Sequence, residues 1–316
     1  MHARSILSFL LSLALVSVVP LWGCSSGEEP RVDPAHPAAH SFGLMAVGYT
    51  HDWQVDADAP EGLELTTTAQ FVRYSALDRS QVARLLALPL NPDADLPGVD
   101  TCRVYDLTID LGGAGGLDRS DTATVDLLEA GDLEVETSSG TVKLAPRHFP
   151  GLLPFISGVV YGEAQSDHAT QTGHVHVGAS GGETVGSFRV EGKSPVLPKI
   201  ATLGGDVPAR EPIIDGAHDL ALRWARPSAD LQQDDDVFYV EVRHPAAKRD
   251  LALRCTPKDD GRFAITAADL GKLMNGVRGR VVIDLVRVRR TFFAARGLDN
   301  GELRVTVRDR ASVTLR

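Results

Sequence analysis

The sequence predicts a mainly β protein, with two β-sandwich-like domains behind a signal peptide and a flexible tether. Three observations carry this reading. Short apolar–polar alternations recur between Ser41 and Gly192, with turn residues roughly every 8 to 12 positions, the spacing of sandwiches and barrels. A second series of alternations runs from Leu220 to Leu315. Between them, Lys193 to Pro212 carries Pro195, Pro198, Gly204, Gly205, Pro208 and Pro212 and reads as a connector, with the boundary near Gly205.

In chain order, Met1 to Arg4 is a short segment with one fixed positive charge, Arg4, and Ile6 to Leu21 is almost wholly apolar. A spanning helix needs about 20 apolar residues. This run is shorter, carries Pro20 near its end and passes into small residues, so residues 1–23 read as a cleaved signal peptide. Its last positions, Leu21-Trp22-Gly23-Cys24, resemble the lipobox of bacterial lipoproteins, with Trp22 bulkier than the family's usual residue. The resemblance implies cleavage before Cys24, a diacylglycerol thioether on its sulfur and acylation of the new amino group. Ser25, in place of Asp, implies by the same analogy sorting to the outer membrane of a Gram-negative bacterium. Residues 24–40 (Ser-Ser-Gly-Glu-Glu-Pro after Cys24, then Pro34 and Pro37) lack apolar periodicity and read as a tether.

The N-terminal domain is placed at 41–204. Leu63, Leu65 and Thr67 alternate with Glu64 and Thr66, and the pattern reaches Tyr74. A strand from Cys102 to Leu111 changes phase, which suggests a bulge near Tyr105 and Asp106. Further strands are expected at Thr124–Leu128, Leu133–Thr137, Thr141–Leu144, Ile156–Tyr161, Gly173–Val177 and Ser187–Glu191. One helix is expected over Ser80–Leu88, capped by Asp78 or Ser80 and stopped by Pro89.

The C-terminal domain is placed at 205–316. Leu220, Leu222 and Trp224 share a face, as do Phe238, Val240 and Val242, then Leu251, Leu253 and Cys255. Asp259-Asp260-Gly261 signals a hairpin into Phe263 and Ile265. Thr266 caps a helical turn to Met274, and Val281–Leu285, Leu303–Val307 and Val313–Leu315 complete the strands. The order Leu220-x-Leu222-x-Trp224-x-x-Pro227, then Phe238-Tyr239-Val240-x-Val242, resembles the second and third strands of a fibronectin type III domain. The later part lacks that family's corner Tyr, so another immunoglobulin-like topology fits equally.

The formal charge of -10 argues against nucleic acid as a partner, because phosphate neutralisation needs clustered Lys and Arg. Residues 276–316 nevertheless hold ten Arg against four acids. Arg287, Arg289 and Arg290 are therefore candidates for contact with an anionic surface, the other reading being strand faces in solvent. With Cys24 assigned to lipid, Cys102 and Cys255 remain. Export permits a disulfide, but the two fall in different expected domains, so separate buried thiols are preferred. On a strand, His174 and His176 project from one face about 7 Å apart, and with His168 they form a candidate zinc or copper site. A polar solvent-facing row is the alternative. Gly178-Ala179-Ser180-Gly181-Gly182 has the spacing of a nucleophile elbow but leads into another strand, not a helix. Gly112–Gly116 lacks the Lys-Ser/Thr ending of a phosphate loop, and Asp230 with Asp234–Asp236 lacks calcium-loop spacing.

These residues give an address more than an activity. The expectation is an envelope lipoprotein, membrane-bound through its lipid, with a non-catalytic binding or structural role, no cofactor, and an envelope protein or glycan as partner. The alternative is an envelope metal-binding protein or hydrolase using the His168, His174 and His176 face.

Overall fold

The computed structural model describes residues 39–53, 62–107, 123–148, 156–169 (backbone only from 163), 173–205, 212–228, 235–245, 250–274 and 278–316. The signal segment, Cys24, nearly all of the tether, Gly112–Gly116, Asp230 and Asp234 lie outside these residues. Among the described residues no helix is long and apolar enough to cross a membrane.

The chain is mainly β. It forms β1 (His40–Asp52), β2 (Leu63–Ser75), helices α1 (Arg79–Leu85) and α2 (Pro92–Asp95), β3 (Cys102–Asp106), β4 (Thr124–Leu127), β5 (Leu133–Thr137), β6 (Gly140–Leu144), β7 (Pro146–His148), β8 (Ile156–Ala169), β9 (His174–Ala179) and β10 (Phe188–Lys193). There follow β11 (Ile200–Leu203), β12 (Ile213–Ile214), β13 (Leu220–Trp224), β14 (Val237–Arg243), β15 (Leu251–Cys255), β16 (Arg262–Ile265), α3 (Ala267–Met274), β17 (Gly279–Phe293) and β18 (Asn300–Leu315).

One large sheet runs β3-β15-β14-β17-β18-β1-β2-β4-β8-β7, with β12 added on β18. Two small sheets, β10-β9-β5-β6 and β11-β13-β16, supply the opposing layers. One core gathers Tyr49, Leu65 and Phe71 with Leu133, Val135, Val175 and Val177 from the four-stranded sheet. The other gathers Leu220, Leu222 and Trp224 with Val240, Leu253 and Ile283. Two sandwich-like lobes therefore share a sheet. The expected division near Gly205 is corrected on this point: β1 pairs in parallel with β18 over Phe42–Asp52, and residues 37–316 form one compact unit. The connector itself contains β11, paired to β13.

The spine is the β17–β18 hairpin, 15 and 16 residues long. Its odd positions line both cores, Leu303, Val305 and Val307 in one and Val281, Ile283, Leu285, Ala311, Val313 and Leu315 in the other. Sequence reading took 303–307 and 313–315 as separate strands because Arg308-Asp309-Arg310 interrupts the apolar pattern. They are one strand.

The expected helix is α1. Asp78 caps it: its carboxylate accepts from Gln81 N (2.8 Å), and Gln81 Oε1 accepts from Asp78 N (2.8 Å), a closed capping box. Thr266 Oγ1 accepts from Asp269 N (3.1 Å) at the start of α3. β13 and β14, read as second and third strands of a sandwich, lie in opposite sheets, as such strands must. Trp224 packs on Phe238 between them, ring centroids 4.9 Å apart. The hairpin expected at Asp259–Gly261 is corrected. Gly261 turns at φ +92°, but β16 pairs with β13, so the turn carries the chain from one sheet to the other. Within the described part of the expected strand no bulge interrupts β3, which steps evenly along β15 from Cys102 opposite Cys255 to Asp106 opposite Leu251; its expected continuation at 108–111 lies outside the described residues.

That register joins the two cysteines, with sulfurs 2.03 Å apart, which overturns the preference for separate thiols. The bridge ends a strap, residues 76–101, that leaves β2, crosses the outer face of the large sheet and reaches its far edge. Leu77, Leu86 and Leu88 pack on Phe42, Leu44 and Val72, and Leu90 and Leu96 on Tyr239, Val286 and Val288. Closing a 153-residue separation stabilises the fold by about 2–4 kcal/mol. Denaturant unfolding of Cys102→Ser with Cys255→Ser is expected to show that loss, and added reductant to lower wild type to the same midpoint. An unchanged midpoint would show the bridge to be inert.

Candidate functional site

Period-2 alternation continues along β17 beyond Leu285, so Arg287 and Arg289 fall on the core side of the sheet. Both are buried, Arg287 at 1% exposure. Arg287 Nε and Nη2 donate to the two oxygens of Asp259 (2.8 and 2.9 Å), and Nη1 donates to Val196 O (2.6 Å). Asp259 also accepts from Trp224 Nε1 (2.8 Å), and Phe238 lies under the guanidinium at 5.3 Å. Arg289 makes the same bidentate grip on Asp236, both bonds 2.6 Å. Across the hairpin, fully buried Asp309 accepts from Ile200 N (2.5 Å) and pairs with His51 Nδ1 (2.6 Å). These groups form a charged seam between the two apolar cores, and they seize the connector backbone at Val196 and Ile200.

The outer face holds a second ionic system. Glu241, directly opposite Asp284, accepts from Arg254 Nε (2.7 Å) and Arg243 Nε (2.6 Å). Asp284 accepts from Arg310 Nε (2.9 Å), with Arg308 at 3.7 Å. Burial raises the Glu241 pKa, but Arg243 and Arg254 outweigh it and hold the carboxyl below its ordinary value of 4.5. Farther along, Arg304 grips Glu302 (2.5 and 3.1 Å) and donates to Pro89 O and Leu90 O of the strap (3.1 and 2.6 Å). Arg290 clamps Asp93 of α2 bidentately (2.6 and 2.9 Å).

The expectation that Arg287, Arg289 and Arg290 meet an anionic surface is therefore corrected. Two are internal and the third is occupied by Asp93. Sequence reading stopped the strand at Leu285 and so lost the phase that places 287 and 289 inward. It also missed Asp259, Asp236 and Asp309, whose partners are distant in sequence.

His174 and His176 do share one exposed face, their rings stacked at 6.4 Å. The group between them is Glu191 on β10: its carboxylate is 2.5 Å from His174 Nδ1 and 3.9 Å from His176 Nδ1. His168 lies on β8 in the large sheet, and its side chain is outside the described residues. Among the described residues no three or more His, Cys, Asp or Glu gather into a metal-binding group. Ser180 Oγ accepts from Asp132 N (2.9 Å) in a turn that leads to β10, not to a helix.

No protein-family model and no curated protein matches the chain. Among solved structures, the FN1–FN3 domains of chicken CNTN1 are similar over 59% of this chain, at 10% identity and a TM-score of 0.19. The chain spans 61% of that structure's length, and a score of this size establishes nothing about function.

Replacing Arg287 by Met strands Asp259 in the seam and is expected to cost about 3–5 kcal/mol in denaturant unfolding. A Glu whose folded pKa is depressed contributes stability above its ordinary value and loses it as pH falls through the folded one. Wild-type stability is thus expected to fall on acidification below pH 4.5, and Glu241→Gln to flatten that limb while lowering the plateau. Since their groups are exposed, His174→Ala with His176→Ala is expected to leave the unfolding midpoint and bound zinc or copper unchanged. Loss of stoichiometric metal in the double variant would support the metal reading.

Proposed function

We propose that the chain is an envelope lipoprotein, held at a bacterial outer membrane by lipid on Cys24, whose β body has a non-catalytic binding or structural role. The observation that carries this is Leu21-Trp22-Gly23-Cys24 closing an apolar run of signal-peptide length. Two or more acyl chains give stable attachment where one is marginal. The body supports the second half of the reading by the use it makes of its charged groups. Arg287, Arg289, Arg304, Asp259, Asp236 and Glu302 bind one another or backbone carbonyls, and so join sheets and connectors. We further read the C-terminal lobe as fibronectin type III-like, on the opposed placement of β13 and β14. Its partner is an envelope protein or glycan, a role that fold alone does not specify.

Metabolic labelling of the full chain with a palmitate analogue in a Gram-negative host tests the anchor. Wild type is expected to carry the label and fractionate with membranes, and Cys24→Ala to lose both. An unlabelled wild type, or a labelled Cys24→Ala, would overturn the reading. Cross-linking in intact cells, compared with Cys24→Ala, then identifies what the body touches.

A further inference from the structure

The turn joining β17 to β18 lies at the end of the body where the chain enters β1. Ser41 N donates to Asp299 Oδ2 (2.7 Å), Asp299 N donates to Ser41 Oγ (2.9 Å), and Phe42 pairs with Asn300. The turn region reads Phe292-Phe293-Ala294-Ala295-Arg296-Gly297-Leu298. Phe293 packs inward, stacked on Phe188 at 4.5 Å. Gly297, at φ +90°, passes so close to the loop before β10 that a Cβ there would meet Thr184 O at 2.1 Å. These contacts fix the tip on the four-stranded sheet. Phe292 faces the other way and is 66% exposed, more than Val99 or Ile213, the other large apolar side chains that stand out among the described residues. The Arg290 guanidinium lies 5.7 Å from its ring, and Ala294 and Arg296 farther along the turn are exposed.

An outward aromatic ring on a rigid hairpin, with Arg290 beneath it neutralised by Asp93 and so adding no charge to repel or attract lipid, suits a shallow apolar contact with a membrane interface. We propose that this tip inserts Phe292 into the lipid surface to which Cys24 tethers the chain. The proposal rests on the lipidated reading of Cys24. It is favoured by where the tether ends. Residues 25–39 separate Cys24 from His40, and whatever their conformation they reach at most about 55 Å. β18 runs about 54 Å away from that entry point. The Phe292 end therefore adjoins the point where the tether enters the body, and the far end could meet the same surface only with the tether drawn nearly straight. At the millimolar effective concentration that a short tether imposes, an insertion too weak to bind a free protein suffices.

The test uses the full lipidated chain in phosphatidylethanolamine–phosphatidylglycerol vesicles. With Cys24 acylated and Cys102 bridged to Cys255, an introduced cysteine is the single free thiol of the chain. A nitroxide on Ala294→Cys is expected to sit at the headgroup–acyl boundary, shielded from a water-soluble relaxing agent and open to oxygen. The same label on Ile213→Cys, toward the opposite end, is expected to remain in water. Adding Phe292→Ser is expected to lower the lipid-contacting fraction at 294 about tenfold, the order expected for one aromatic side chain. Vesicle flotation with a water-exposed label at 294 overturns the tip contact and leaves the anchor standing. Failure to float, with no lipid mass on Cys24, overturns both.

Discussion

The buried pair Arg287–Asp259 is the constraint around which the rest of the molecule is arranged. It lies where two apolar cores would otherwise merge or leave a gap, and it binds three elements at once. β17 supplies the guanidinium, the sheet-switching turn supplies the carboxylate, and the connector supplies the carbonyl of Val196. Burying such a pair is weak evidence of net stability, because desolvation offsets the attraction. Its contribution is specificity. A guanidinium fork accepts few geometries, so the register of the connector against the central hairpin is set at one place. Arg289 with Asp236, and Asp309 with Ile200 N, repeat the arrangement on either side.

The shared hairpin explains how far the fold was legible. Half-buried strands with solvent on one face, such as β2, β5, β9 and β13, alternate cleanly and were read with nearly correct limits. β1 was not read as a strand, since Phe42, Leu44, Met45 and Val47 are buried on both faces and leave no alternation. The charged residues of β17 and β18 misled for a different reason. Arg, Asp and Glu are taken as exposed unless paired, and the pairing is a tertiary fact. The cysteines illustrate the same limit: their neighbourhood follows from β3 crossing the sheet, which no local pattern encodes.

Of the candidate site residues, the strand geometry of His174 and His176 was legible because period 2 is a backbone property. Their neighbour Glu191 was not, because it comes from the adjacent strand. Of the strap from 76 to 101 the sequence shows only the helix at Ser80–Leu88. The strap's role depends on where Arg304 and Arg290 reach it and on the bridge at its end. Non-glycine residues held at positive φ at its two ends and after α1 (Ala76, Ala87 and Asp100) show that tertiary contacts, not local preference, set its path.

The parallel pairing of the first strand with the last also determines how the body answers a pull. Between the entry of β1 and the exit of β18 the two strands point the same way, so tension separates them by sliding. All eleven residue pairs from Phe42–Asn300 to Asp52–Arg310 then resist together, whereas peeling would break them one after another. A chain pulled at the start of β1 while held at the end of β18 is, on this geometry, a stiff mechanical link. The resistance resides in the hydrogen-bonded ribbon and leaves either lobe's core undisturbed until the ribbon slips.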